Sequence, residues 1–159
     1  MKLPLSLSSS RRILFGLFAL LPTVAVVQTS LAADAKPTIP VIVKDTTSNY
    51  WQIVLAGARK AGKDLNVNVP ELGAQSESDI NGQISILENA VSEKPAAIVI
   101  SPTQKAALGK PIDEAAKKVK IIGIDSAADS KAFTSFLTTD NVQGGRIAAD
   151  GLAAAITAK

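Results

Sequence analysis

From Thr38 onward, short runs rich in β-branched and aliphatic residues alternate with stretches whose apolar positions return at helical spacing. In a compact domain that alternation signals parallel strands joined by crossover helices. The first strand is predicted at residues 39–43. Trp51, Val54, Leu55, Ala58, Ala61 and Leu65 then form one stripe, with Arg59, Lys60, Lys63 and Asp64 on the other face, which predicts a helix of about four turns. Val67, Val69 and Leu72 alternate with polar residues or Pro70 as a half-buried second strand does. Ser76, three residues before Asp79, resembles a capping box for a helix whose stripe is Ile80, Ile84, Leu87 and Val91. Residues 96–100 are continuously apolar, as expected of a central strand covered on both faces. Leu108, Ile112, Ala115 and Val119 mark the next helix, residues 121–124 a fourth strand, and residues 135–138 a short fifth.

Four strand-to-helix units in succession predict an α/β fold with an open, doubly wound parallel sheet of strand order 2-1-3-4-5. Ligands of such sheets sit beyond the carboxyl ends of the strands, near the reversal of strand order, here between the first and third strands. The tips are Lys44-Asp45-Thr46-Thr47-Ser48-Asn49, Ser101-Pro102-Thr103 and Asp125-Ser126, all of them polar. The first strand-to-helix turn contains no glycine, and Gly144-Gly145 lacks the rest of any phosphate loop. A nucleotide held by backbone amides is therefore not expected, and no cofactor is.

Composition narrows the chemistry. The chain has 159 residues, 47% hydrophobic and 19% charged, which excludes a disordered or collagen-like polymer. Lys and Arg number 17 against 14 acids, but Lys2, Arg11 and Arg12 all lie in the acid-free first 32 residues. Without them the two signs are equal, so no electrostatic footprint for nucleic acid remains. Cysteine and histidine are absent. That excludes disulfides, thiol nucleophiles, Cys/His metal sites and every triad that uses His as base. The remaining carboxylates, hydroxyls, amides and few aromatics suit binding better than catalysis, and no metal is expected.

Residues 1–32 read as a cleavable export signal: a basic start, an apolar core from Ile13 to Val27, and Ser30-Leu31-Ala32 before the cut. Cleavage after Ala35 is the close alternative. A spanning anchor is disfavoured because the strictly apolar core is shorter than the roughly 20 residues required and Pro22 interrupts it. Ser10-Arg11-Arg12 matches the twin-arginine signal only in part, so the route stays open.

The strand tips in order carry a resemblance. Lys44-Asp45-Thr46-Thr47-Ser48-Asn49-Tyr50-Trp51, Ala97-Ile98-Val99-Ile100-Ser101-Pro102-Thr103, Ile122-Gly123-Ile124-Asp125-Ser126 and Thr139-Asp140-Asn141-Val142-Gln143-Gly144-Gly145 together resemble the ribose-binding-like periplasmic solute-binding proteins of sugar ABC transporters. The likeness runs from about Thr38 to Lys159. It implies a two-lobed, non-enzymatic periplasmic receptor, a monomer that closes on a monosaccharide and delivers it to a permease in the inner membrane. It further implies ligand contacts at Asn49, Trp51 and Gln52, where Gln52 replaces an aromatic of the ribose receptor and Tyr50 stands where many members have proline. Asp125 would take protons from sugar hydroxyls, and Ser126 stands where the ribose receptor has an arginine.

The residues read on their own agree. A sugar presents hydroxyls and a C–H face, so its pocket needs a carboxylate, amides and an aromatic plate. Asp125, Asn49 and Trp51 are that set, and Lys44 is counted with them. Each has an ordinary structural alternative. Trp51 shares the core stripe of Val54 and Leu55, Asn49 is placed to cap its helix, Asp125 to cap the following turn, and Lys44 to pair with Asp45 or face water. Ser101 and Thr103 are read as turn or cap residues and left out of the site. By the resemblance, residues 33–139 are the N-terminal lobe and residues 140–159 the crossing and first helix of a second lobe, so the chain is expected to hold half a cleft and to bind a sugar weakly by itself. Three other readings compete: a repressor effector domain, which lacks a helix-turn-helix here; a glycosidase using Asp45 and Asp125; and a periplasmic sugar sensor for a chemoreceptor or histidine kinase.

Overall fold

The computed structural model describes residues 36–158; the export signal expected at residues 1–32 lies outside them. Among the described residues nine elements follow one another: β1 (Val41–Asp45), α1 (Asn49–Asp64), β2 (Glu71–Ala74), α2 (Ile80–Ser92), β3 (Ala97–Ile100), α3 (Lys105–Ala116), β4 (Lys120–Ile124), β5 (Ser135–Leu137) and α4 (Asn141–Thr157), with β4 running on to β5 without a helix between them. The five strands form one parallel sheet in the order β2-β1-β3-β4-β5, the order expected from the sequence. Among the described residues no helix is long and apolar enough to cross a membrane.

Period-two alternation divides the sheet into two faces. Ile42, Ile98, Ile100 and Ile121 point to one side, where Leu87 of α2 and Leu108 and Ile112 of α3 complete a fully buried cluster. Val41 and Val43 point to the other and pack with Trp51 and Leu55 of α1, joined by the half-buried Val99. Each fully buried Leu or Ile stabilises by about 1.5–3 kcal/mol, and these clusters hold the strand tips rigidly in register. The cover is uneven. Every residue of β5 is exposed and no residue of α4 is buried.

Several boundaries differ from the sequence reading, for local reasons. The strand expected at 39–43 runs two residues later and reaches Asp45; before it Ile39 N–H donates to Asn68 C=O at 2.9 Å, while Pro40 has no N–H to give. Likewise β2 starts after Pro70, and Val67 and Val69 belong to an extended lead-in tied by a bridge between Thr38 and Asn68. Val119 lies beyond α3. The cap of α2 is Asp79, whose Oδ1 accepts from Gly82 N–H at 2.9 Å; Ser76 instead accepts from Ser78 N–H at 3.2 Å within the preceding turn. Asn49 does not cap α1. Ser48 holds that position without a side-chain cap bond, and the Asp45 carboxylate binds the turn just before the helix.

Candidate functional site

Each polar strand tip is shaped by its own turn. After β1, the Asp45 Oδ1 oxygen accepts from Thr47 N–H (2.7 Å), Thr47 Oγ1 (2.8 Å) and Ser48 N–H (2.7 Å). The Ser48 N–H bond, aided by those from Thr47 and opposed by burial, holds the Asp45 carboxyl below its ordinary pKa. Asp45 is thus committed to folding the turn that launches α1, and it is not the partner of Lys44. That lysine reaches instead across the sheet to the end of β4.

The end of β4 is the chemical centre. Asp125 sits in the left-handed region at φ 60°, which Asp and Asn tolerate better than other side chains but which still costs about 1–3 kcal/mol. The surroundings hold it there. Its N–H donates to Leu137 C=O at 3.0 Å, and its C=O accepts from Thr138 Oγ1 at 2.8 Å. This backbone turn aims the carboxylate back over the strand tips. Its Oδ2 oxygen meets Lys44 Nζ at 3.0 Å, Ser126 Oγ at 2.8 Å and Ser101 Oγ at 3.1 Å, while Lys44 Nζ also donates to Ser126 Oγ at 2.7 Å. Oδ1 faces only Tyr50 Oη among the described residues, at 3.5 Å. Burial pushes the Asp125 pKa upward, but the Ser126 bond, the bond and charge of Lys44, and the Ser101 bond outweigh it, and the group is held below its ordinary value.

Beside this carboxylate a depression of about 480 Å³ opens between the start of α1 and the ends of β4 and β5, with Tyr50, Trp51, Val54, Asp125, Leu137 and Thr138 among its walls. Trp51 contributes an edge only. It is 2% exposed, its indole N–H donates to Glu77 Oε1 at 2.7 Å, and Lys44 Nζ stands 5.6 Å from its ring centroid. Tyr50 packs edge-on against it, with ring centroids 4.8 Å apart at 83°. A second depression of about 470 Å³ lies between α2 and α3, where charged residues rim an apolar floor remote from the strand tips.

Of the residues singled out from sequence, the fold brings Lys44, Asp125 and Ser126 into one hydrogen-bonded cluster with the Trp51 indole beside it. Asn49 and Gln52 are exposed on the first turn of α1, and Gln52 Nε2 donates to Thr46 C=O at 2.7 Å. Two partners escaped the sequence reading. Ser101, set aside as a turn residue, is fully buried and fixes Asp125. Gln83 is also fully buried. Its Nε2 donates to Val43 C=O (3.2 Å) and Ser101 C=O (2.9 Å), and its Oε1 accepts from Thr103 N–H (2.8 Å) and Thr103 Oγ1 (3.0 Å). A signal for Gln83 was present. It follows Ile80 by three residues and precedes Leu87 by four, so it lies on the buried stripe of α2.

The arrangement presents a rigid, ionised carboxylate with one oxygen saturated and the other turned to an open depression. It is built to accept a hydrogen bond from a hydroxyl. It is poorly suited to acid catalysis, since neither Asp45 nor Asp125 is held protonated at neutral pH.

Comparison with known proteins agrees with this architecture. The ribose import binding protein RbsB of Haemophilus influenzae is 26% identical over 125 residues, covering 78% of this chain and 42% of that protein. A carbohydrate transporter solute binding protein from Agrobacterium radiobacter, solved in complex with D-arabinose, is 82% identical with a TM-score of 0.72, covering 79% of this chain and 43% of that one. AraP, an arabinose binding protein from Geobacillus stearothermophilus, is 32% identical with a TM-score of 0.72 at the same coverage, 79% and 43%. The chain therefore spans less than half the length of these relatives. With residues 39–159 matching the periplasmic binding protein domain, on a parallel sheet whose polar tips converge on one carboxylate, the chain belongs to the periplasmic binding protein family.

Proposed function

We propose that the chain binds a monosaccharide at the tips of β1, β3 and β4 and serves as the N-terminal lobe, residues 33–139, of a receptor for a sugar ABC transporter. In this reading residues 1–32 direct export to the periplasm, residues 140–159 cross toward a second lobe, and the loaded receptor is a monomer that presents its sugar to a membrane permease. The observation that carries the proposal is the Asp125 carboxylate, ionised, pinned through Oδ2 and open at Oδ1 beside a depression of sugar size. Lys44 and Ser126 orient it, Asn49 and Gln52 supply amide groups from the exposed first turn of α1, and Trp51 gives the apolar edge.

The first ligand to test is D-arabinose, the sugar held by the Agrobacterium radiobacter relative. One lobe leaves most of a sugar's hydroxyls in water, so the chain by itself is expected to bind no more tightly than millimolar. Chemical-shift titration with a panel of pentoses and hexoses is expected to perturb the Trp51 indole and the amides of Asp125 and Thr138. Asp125→Asn keeps the left-handed backbone accessible while removing the charge. It is expected to weaken binding by roughly ten- to a hundredfold, the value of a charge-assisted hydrogen bond. Sub-micromolar affinity by calorimetry would contradict the half-cleft view, and shifts confined to another face would refute the site.

A further inference from the structure

We infer that the phenol of Tyr50 and the Oδ1 oxygen of Asp125 together grip one hydroxyl of the ligand, which makes Tyr50 a specificity-determining residue. The inference rests on the sugar-binding reading of this site and goes beyond it in assigning a role to Tyr50.

A carboxylate oxygen offers about two acceptor directions. Those of Oδ2 are spoken for by Lys44, Ser126 and Ser101, at 3.0, 2.8 and 3.1 Å. An incoming hydroxyl can therefore bond only to Oδ1. The neighbour of Oδ1 is Tyr50 Oη at 3.5 Å, longer than the 2.5–3.0 Å of a good hydroxyl-to-carboxylate bond. The two oxygens hold each other loosely, yet they stand close enough for a third oxygen to lie about 2.8 Å from both. A ligand hydroxyl in that place donates its proton to Oδ1 and accepts the phenolic proton of Tyr50 in return. Each group then makes the bond that its chemistry favours.

The setting suits such a clamp. Tyr50 is 57% exposed, so its hydroxyl is accessible, while its ring leans edge-on against the buried Trp51. Trp51 is itself tied to Glu77 at 2.7 Å and cannot easily yield. Val54 and Leu137 line the same depression and offer apolar contact to a C–H face. A ring with a hydroxyl beside an unsubstituted C–H face fits these surfaces, which is the chemistry of a pyranose or furanose monosaccharide.

The test compares the full chain with its Tyr50→Phe variant by chemical-shift titration against D-arabinose and its monodeoxy analogues. Phenylalanine keeps the ring contact with Trp51, so the melting temperature is expected to stay unchanged. D-Arabinose affinity is expected to fall about three- to tenfold, as for loss of one neutral hydrogen bond. One deoxy analogue should bind both proteins equally, because the hydroxyl that Tyr50 reads is gone, while the other analogues keep the full ratio. Equal affinity of wild type and variant for D-arabinose overturns the clamp, as does a penalty that persists undiminished across every analogue; in either case sugar binding at Asp125 still stands. If no sugar of the panel shifts the Asp125 region in the wild-type chain, the sugar reading itself falls and the clamp with it.

Discussion

Gln83 has no place in the ligand depression, yet one amide ties together the C-terminal ends of β1 and β3. Replacing it with Leu preserves bulk but removes the Gln83 bonds to the buried Val43 C=O and Ser101 C=O and to the half-buried Thr103 N–H. Urea unfolding is expected to show a loss of about 3 kcal/mol, the upper end for orphaned buried groups. The same change should slacken Ser101 and with it Asp125. The two carboxylates at the strand tips contribute to the acid limb of stability. Both Asp45 and Asp125 have folded-state pKa values depressed below those of the unfolded chain. Their contribution is therefore fully present above about pH 4, the unfolded carboxylate value, and is lost as pH falls through the lower folded values. Asp45→Ala is expected to melt below wild type at pH 7, with the gap narrowing as acid protonates the wild-type carboxylate. A gap that widened in acid would contradict the assignment.

At the scale of elements, α2 and α3 are clamped into the main core, whereas α4 rests on nothing that buries it. Val142, Ile147, Leu152 and Ile156 are all exposed, and Gly144, Gly145 and Gly151 each cost about 1 kcal/mol relative to Ala within a helix. A helix of this length with three glycines and no packing is marginal. Hydrogen exchange is expected to be orders of magnitude faster in α4 than in α2 or β3, and comparable protection would contradict this account. The loop after β4 is the opposite case. A Cβ at Gly109 of α3 would lie 2.5 Å from the Asp129 carbonyl oxygen, in a loop already strapped by Asp129 N–H to Lys105 C=O at 2.9 Å. Gly109→Ala would force that backbone away at a cost of about 1–3 kcal/mol, more than the roughly 1 kcal/mol that Ala gains in helix propensity. Thermal melts should therefore show net destabilisation.

For the whole molecule, the hydrophobic pattern by itself determined the succession of five strands and four helices found among the described residues, and that the sheet runs β2-β1-β3-β4-β5. Periodicity is a local property, and crossover geometry leaves few ways to assemble such units. The candidate carboxylate at the tip of β4 was legible for the same reason, since strand ends can be read from where apolar runs stop. Tertiary structure decided the partners. Lys44 and Asp125 are far apart in sequence, and only the sheet order brings β1 and β4 close enough for the lysine to choose Asp125 over the adjacent Asp45. Ser101 looked like a turn residue because nothing near it in sequence reveals that β4 ends beside it. Trp51 carried both a core stripe and an aromatic signal, and its burial depended on Val41 and Val43 from another element. A chain encodes its elements through neighbours a few residues away, but a site is made of groups whose distances are set by packing, and those distances exist only once the sheet has formed.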